Sequence, residues 1–278
     1  MIDRFLTVDG IQIPRFIYGT AWKENDTERL THLALDSGFR GIDTANQRKH
    51  YFEAGVGAAI AASGVPRNEL FIQTKFTFRD GQDHRLPYDP AAAIPDQVEQ
   101  SFASSLDHLG VETIDSYVLH GPTQRIGLST NDLLAWRAME SIHARGKTTW
   151  LGVSNVTLEQ LREFCKHATV KPQFVQNRCY AVRGWDRDVR QLCAANGIIY
   201  QGFSLLTANR DVFKHPDVRR LAKQLGRTES QIVFRFAMQI GILPLTGTTS
   251  AEHMGQDLEV FDFDLSPDDV LRIEQLAG

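Results

Sequence analysis

The chain has 278 residues, 42% hydrophobic and 23% charged, with a formal net charge of −4 and a pI near 6.1, an ordinary globular composition with room for one large barrel or two domains. No Lys/Arg run is interleaved with aromatics, which argues against a nucleic-acid partner, and no stretch approaches the ~18 apolar residues of a membrane span. Cys165, Cys179 and Cys193 lack C-x-x-C spacing, so they build neither a disulfide framework nor a metal site, and idle thiols in a reducing cytosol are expected.

In chain order, Leu6 to Ile13 alternates apolar and polar positions around Asp9-Gly10 and predicts a tight hairpin. Strand-like runs then recur at 16–18, 41–43, 70–74, 114–119, 150–153, 174–176, 198–201 and 242–245. Between them lie helical patterns at 27–37, 52–62, 91–108, 131–144, 158–167, 186–195, 217–225 and 229–239, with 251–258 and 267–276 closing the chain. Eight βα units without a linker or composition shift predict a single (β/α)8 TIM barrel over residues 1–278, its bottom capped by the N-terminal hairpin. Gly55-Val56-Gly57-Ala58-Ala59-Ile60 looks faintly like a dinucleotide fingerprint, but it sits inside a helical pattern, and helix packing is its expected use.

Four polar residues fall at or beyond the ends of these runs: Asp43, Tyr51, Lys75 and His120. In a parallel α/β protein that edge carries the chemistry, so the chain reads as an enzyme. A tyrosine with pKa near 10 is a weak acid at neutral pH, but a lysine beside it favours the phenolate and lowers that value. A carboxylate holds the lysine in place, and a histidine can hydrogen-bond a carbonyl oxygen. The set suits protonation of a C=O undergoing reduction.

The stretches around these residues resemble the aldo-keto reductases. They are Gly38-Phe39-Arg40-Gly41-Ile42-Asp43-Thr44-Ala45, Leu70-Phe71-Ile72-Gln73-Thr74-Lys75, Leu119-His120-Gly121-Pro122, Gly152-Val153-Ser154-Asn155 and Val260-Phe261-Asp262-Phe263-Asp264-Leu265-Ser266, all in family order. The resemblance implies a (β/α)8 barrel that holds a nicotinamide cofactor across its C-terminal mouth. It makes Tyr51 the general acid, Asp43 and Lys75 its tuning pair, and His120 the substrate-orienting group. Ser154, Asn155 and Gln176 are implied to hold the carboxamide, and Phe203 to stack on the ring where the family usually has a Tyr. Thr20, Asp43, Ser204, Leu206, Thr248, Thr249, His253 and Asp257 are further implied cofactor contacts. Trp22, Tyr51 and His120 are the implied substrate contacts.

Two departures stand out. The family spaces its tyrosine five residues after the aspartate, where this chain has Arg48, so Tyr51 is read as catalytic at the end of a lengthened loop. If Arg48 filled the slot instead, the acid would be missing, and His50 would compete for the proton-donor role. At the adenosine end, Gly247 and His253 stand where NADPH-selective members place a Lys and an Arg, and Asp257 replaces the usual Asn. NADPH is the first choice of cofactor on family grounds, with NADH as its rival.

Other chemistries fit less of the chain. A Schiff base on Lys75 would leave Ser154, Asn155, Gln176 and Phe203 without a role, and metal hydrolysis lacks H-E-x-x-H or any second ligand near His50, His84 or His120. The alternative of a different class is a non-catalytic cofactor sensor or regulatory subunit. Gly121 predicts a wide pocket with Trp22 as its wall, residues 77–89 a long loop over the mouth, and the end at Gly278 the lack of a closing tail. An open site for aldehydes or ketones with bulky or aromatic groups is expected. The N-terminus Met1-Ile2-Asp3-Arg4-Phe5 lacks a signal pattern, so a cytoplasmic monomer or weak homo-oligomer is expected.

Overall fold

The computed structural model describes residues 2–276; Met1, Ala277 and Gly278, which fall within the expected 1–278 span, lie outside the described residues. Strands β1 (Phe5–Val8) and β2 (Ile11–Pro14) pair antiparallel across Asp9 and Gly10, whose φ values of 49° and 82° give the left-handed pair that a two-residue hairpin turn requires. Eight parallel strands follow: β3 (Ile17–Gly19), β4 (Gly41–Asp43), β5 (Phe71–Phe76), β6 (Ile114–Leu119), β7 (Thr148–Ser154), β8 (Phe174–Arg178), β9 (Ile199–Phe203) and β10 (Leu243–Thr246). They hydrogen-bond in chain order and close with β10 against β3, the (β/α)8 barrel that the alternating pattern predicts.

Helices α1 (Thr27–Asp36), α2 (Glu53–Ser63), α3 (Ile94–Leu109), α4 (Thr130–Ala144), α5 (Leu158–His167) and α6 (Arg187–Ala195) alternate with the strands. A short α7 (Arg210–Phe213), then α8 (Pro216–Leu225) and α9 (Glu229–Gln239), separate β9 from β10, and α10 (Ala251–Leu258) and α11 (Pro267–Glu274) follow. Ser129, Thr157 and Thr228 open α4, α5 and α9 with reciprocal capping boxes to Asp132, Gln160 and Gln231. Helix α3 begins three residues later than its composition suggests. Asp89 folds the Ala-rich stretch into a turn, its carboxylate accepting from Ala91 N at 2.9 Å, and Pro95 then sits in the first helical turn.

Gly57 faces α3 so closely that a Cβ there would lie 2.2 Å from the His108 carbonyl oxygen. The glycine-rich run of α2 thus serves helix packing, as its position in a helical pattern predicts.

The barrel interior follows from the two-residue repeat of side chains along each strand. On β5, Phe71, Gln73 and Lys75 point inward in succession; on β8 the same steps are Phe174, Gln176 and Arg178; on β9, Ile199, Gln201 and Phe203. Strand register places Asp43 beside Gln73, Gln73 beside Ser116, and Gln176 beside Gln201. The lowest layer is apolar: Ile17, Phe71, Trp150, Phe174, Leu243 and Leu245 cluster with Ile13, Leu6 and Val8 of the hairpin, which covers the N-terminal mouth. The middle layer is an amide belt. Gln73 Nε2 donates to Gln201 Oε1 at 2.8 Å, Gln176 Nε2 to the same oxygen at 3.0 Å, and Ser116 Oγ to Gln73 Oε1 at 2.9 Å. The top layer opens into the C-terminal mouth.

Candidate active site

Asp43 ends β4 and Lys75 stands in β5, which runs two residues further than its apolar pattern suggests because its polar residues are satisfied inside the barrel. Lys75 Nζ donates to both Asp43 carboxylate oxygens and to the Thr44 carbonyl, each at 2.7 Å, and neither side chain is more than 4% exposed. Asp43 also accepts from Gln73 Nε2 at 2.7 Å and Gln176 Nε2 at 2.9 Å. Burial lowers the Lys75 pKa, and the Asp43 carboxylate opposes that shift.

Tyr51 follows a tight turn, its N–H bonded to the Gln47 carbonyl at 2.9 Å. Its ring lies 5.2 Å from Lys75 Nζ and meets His120 edge-on, with centroids 5.9 Å apart. Contrary to the expectation drawn from the neighbouring lysine, the Tyr51 pKa is raised: burial dominates and the Asp43 charge adds to it. His120 follows β6, with Nδ1 2.7 Å from the Thr77 hydroxyl. Burial, with help from Lys75 and His50, pushes its pKa down to about 3, so the ring is neutral at ordinary pH.

A cavity of about 890 Å³ opens over this group, within the range of small-molecule and cofactor sites. Asp43, Tyr51, His120, Ser154, Asn155, Gln176, Phe203, Ser204, Leu206, Thr248, His253 and Asp257 all line it, as does Trp22, whose indole stacks on His50 with centroids 3.8 Å apart. Arg48 turns elsewhere, its guanidinium 4.2 Å from the Phe52 ring, in the wall of a smaller cavity behind Tyr51.

Three expectations meet a different arrangement. Thr20 is sealed, its hydroxyl donated to the Asp43 carbonyl at 3.0 Å, and does not line the cavity. Thr249 is exposed beside Thr248 without lining it. Residues 77–89 are tied back onto the Tyr51 loop by Gln82 Nε2 to Asn46 O at 2.8 Å and Gln47 Nε2 to Gly81 O at 2.6 Å, so they do not line this cavity. Two lining cations escaped the sequence reading. Lys23 donates to the Gly247 carbonyl across the cavity's far end, and Arg178 stands above Gln176; neither carries a spacing signal.

The lining suits a nicotinamide cofactor. Asn155 Nδ2 is spent on the His120 carbonyl and Ser154 Oγ, and Gln176 Nε2 on Asp43 and Gln201. The amide oxygens of Asn155 and Gln176 therefore remain as acceptors for a carboxamide NH2. At the far end the Thr248–Ser250 turn leads into the N-terminus of α10, with Ser250 Oγ capping His253 N and Lys23 nearby, a setting for phosphate.

A model of the Aldo/keto reductase family matches residues 16–277. The chain belongs to the aldo/keto reductase family. An aldo-keto reductase of Mycobacterium avium (strain 104) is 32% identical over 270 residues, covering 96% of this chain and 87% of that protein. The glyoxal reductase of Bacillus subtilis (strain 168) is 29% identical over 96% of this chain and 90% of its own length. The crystal structure of MGS-M4, an aldo-keto reductase from a Medee basin deep-sea metagenome library, superposes with a TM-score of 0.84 at 25% identity, covering 99% of this chain and 94% of that one. This aldo/keto reductase is accordingly an NAD(P)H-dependent oxidoreductase of a family of carbonyl reductases. The alternative of a non-catalytic sensor finds no support among these relatives. No helix among the described residues is long and apolar enough to cross a membrane.

Proposed function

We propose that this aldo/keto reductase reduces aldehydes or ketones, bulky or aromatic ones included, to alcohols, with Tyr51 as the proton donor. The observation that carries the reading is the convergence of Tyr51 and His120 over the buried Asp43–Lys75 pair in the wall of the cofactor-sized cavity.

Asn155 and Gln176 would take the carboxamide, Phe203 the face of the ring, and Thr248, His253 and Lys23 the phosphate-bearing end. When bound, the nicotinamide supplies hydride to the carbonyl carbon. The residues then have to manage the negative charge on the carbonyl oxygen. His120 is neutral and has its Nδ1 2.7 Å from the Thr77 hydroxyl; in the tautomer in which Thr77 donates to that nitrogen, Nε2–H is left to point at the oxygen and fix its position. Burial keeps the proton on Tyr51 at rest. As charge builds on the oxygen, the Tyr51 hydroxyl donates its proton there, and the Lys75 ammonium stabilises the phenolate left behind. Asp43, clamped by three donors, anchors Lys75 and so acts through it. Trp22 on His50 forms the exposed aromatic wall of the substrate side.

NADPH is the proposed cofactor. Its margin over NADH is small, because Lys23 is the one lysine or arginine among the described residues at the far end of the cavity. The deciding experiment is Tyr51→Phe assayed with NADPH and an activated aromatic aldehyde. Turnover should fall by about 10²–10⁴, the usual worth of a general acid, while cofactor affinity stays put. Near-normal turnover would place the acid elsewhere.

A further inference from the structure

One charge in the top layer of the barrel has no part in this mechanism. Arg178 follows Gln176 by two residues on β8, so its side chain leaves the same face roughly 6–7 Å nearer the mouth. It pairs in register with Phe203. Arg178 lines the main cavity and also a second one, of about 650 Å³, between the β7–α5 and β8–α6 loops, and Asn155 is the other residue shared by both.

Arg183 lines the second cavity, and the two guanidinium groups gather on one ring: Arg178 and Arg183 lie 5.5 Å and 5.2 Å from the Tyr180 centroid. Neither has an ion-pair partner among the described residues. The other charges facing this cavity are mostly committed. Arg187 pairs with Glu274 at 3.4 Å, and the Asp186 carboxylate accepts from Asn177 Nδ2 at 2.8 Å and the Tyr200 hydroxyl at 2.9 Å, which leaves Asp188 as the one acid among the described residues free to face two cations.

The loop that brings Arg183 back over Tyr180 is held in an unusual shape. Gly184, Trp185 and Asp186 are left-handed in succession, at φ 63°, 57° and 56°. Two of them are not glycine, and such residues keep that conformation only where their surroundings impose it. Here Arg183 N and Trp185 N both donate to the Tyr180 carbonyl at 3.1 Å, while Asp186 is fixed by Asn177 and Tyr200. A guanidinium lying on an aromatic ring keeps its N–H edge free, and that edge matches the two oxygens of a carboxylate or phosphate.

We infer that Arg178 and Arg183, spread on Tyr180, form an oxyanion-binding arm for a carboxylate or phosphate carried by a molecule in the main cavity. The inference rests on the carbonyl-reductase reading above. The anion belongs either to an acidic carbonyl substrate or to the phosphates of the cofactor, and two arms of one experiment separate these.

Arg178→Leu, Arg183→Leu and Arg178→Lys are compared with the wild type. The first arm measures Kd for NADPH and NADH by quenching of tryptophan fluorescence, without substrate. The second measures KM for 4-carboxybenzaldehyde and for its neutral methyl ester at saturating NADPH. A substrate anion predicts that Arg178→Leu raises the acid-to-ester KM ratio by about 10- to 100-fold, the worth of a charge-assisted bond, with cofactor Kd in place. A cofactor anion predicts a similar rise in Kd for both nucleotides with the ratio unchanged. In both cases Arg183→Leu shifts the same quantity in the same direction, and Arg178→Lys, which keeps the charge but loses the fork, recovers part of the loss. If neither the ratio nor either Kd moves in both leucine variants, the arm does not exist. Losses that Arg178→Lys does not relieve at all would assign a packing role and overturn the inference equally. A wild type that reduces neither the acid nor the ester refutes the carbonyl-reductase reading, while the Kd arm still tests the arginines.

Discussion

Asp257 is a buried carboxylic acid beside the main cavity, and replacing it by asparagine should stabilise the protein in a strongly pH-dependent way. The side chain is 3% exposed and accepts from the Thr246 hydroxyl at 2.7 Å, with no cation among the described residues bonded to it. Burial outweighs that hydrogen bond and raises its pKa from the ordinary 3.8 to about 7. The folded state thus holds a proton between these values that the unfolded chain has already released, so stability falls as pH rises from 4 to 7 and stays low above. At about 1.4 kcal/mol per pKa unit, the cost is about 1.5 kcal/mol at pH 5 and about 4 kcal/mol at pH 8. The amide of the variant would not titrate, and its oxygen would still accept from Thr246. Urea unfolding of Asp257→Asn and the wild type, without cofactor, at pH 5 and pH 8 should show the variant's relative stability rising by about 2–3 kcal/mol between the two. An offset that is the same at both values would mean that burial does not strain this carboxyl, and the reasoning would be wrong.

Gly57→Ala should destabilise by about 2 kcal/mol or more, read from the urea midpoint, because its Cβ would overlap the backbone of α3 by more than helix propensity returns; an unchanged midpoint would mean that α2 and α3 can part freely. With its pKa pushed down to about 3, His120 should contribute no ionisation to kcat/KM between pH 5 and 8. A limb near pH 6.5 that disappears in His120→Asn would contradict this. Lys23→Ala should weaken NADPH by about 10-fold if its ammonium makes a charge-assisted bond to a phosphate, measured by titration without substrate; equal affinity in variant and wild type would confine Lys23 to its Gly247 contact.

Much of the fold was legible because each barrel strand is short, apolar and followed by an amphipathic run, and the order of these runs is the topology. The placement of Asp43, Lys75 and His120 at one mouth of the barrel was legible for a related reason: a polar residue at the end of an apolar strand has one place to go. Tyr51 was ambiguous on spacing, since Arg48 sits at the family interval and only the turn through 48–50 shows which side chain reaches the cavity. The direction of its pKa shift was misread because sequence proximity to a lysine carries no information on burial. Residues 77–89 are polar and aromatic like a specificity loop, but the hydrogen bonds that pin them to Asn46 and Gln47 depend on partners 36 and 34 residues away. Lys23 and Arg178 were passed over because an isolated cation in a loop or at a strand end has many innocuous uses.

The amide belt links segments far apart in the chain: Gln73 to Gln201, and Gln176 to Asp43. The carboxylate that anchors Lys75 is therefore completed by one donor from the second half of the polypeptide, Gln176 on β8, which is laid down after the first five barrel strands. A half-barrel would keep the Gln73 and Lys75 bonds to Asp43 but lack the Gln176 donor and the Gln201 amide beneath it. Closure of the barrel through β8 and completion of the hydrogen bonds around Asp43 are thus linked. A substitution at Gln176 on β8, 133 residues away in sequence, should therefore register at a carboxylate on β4.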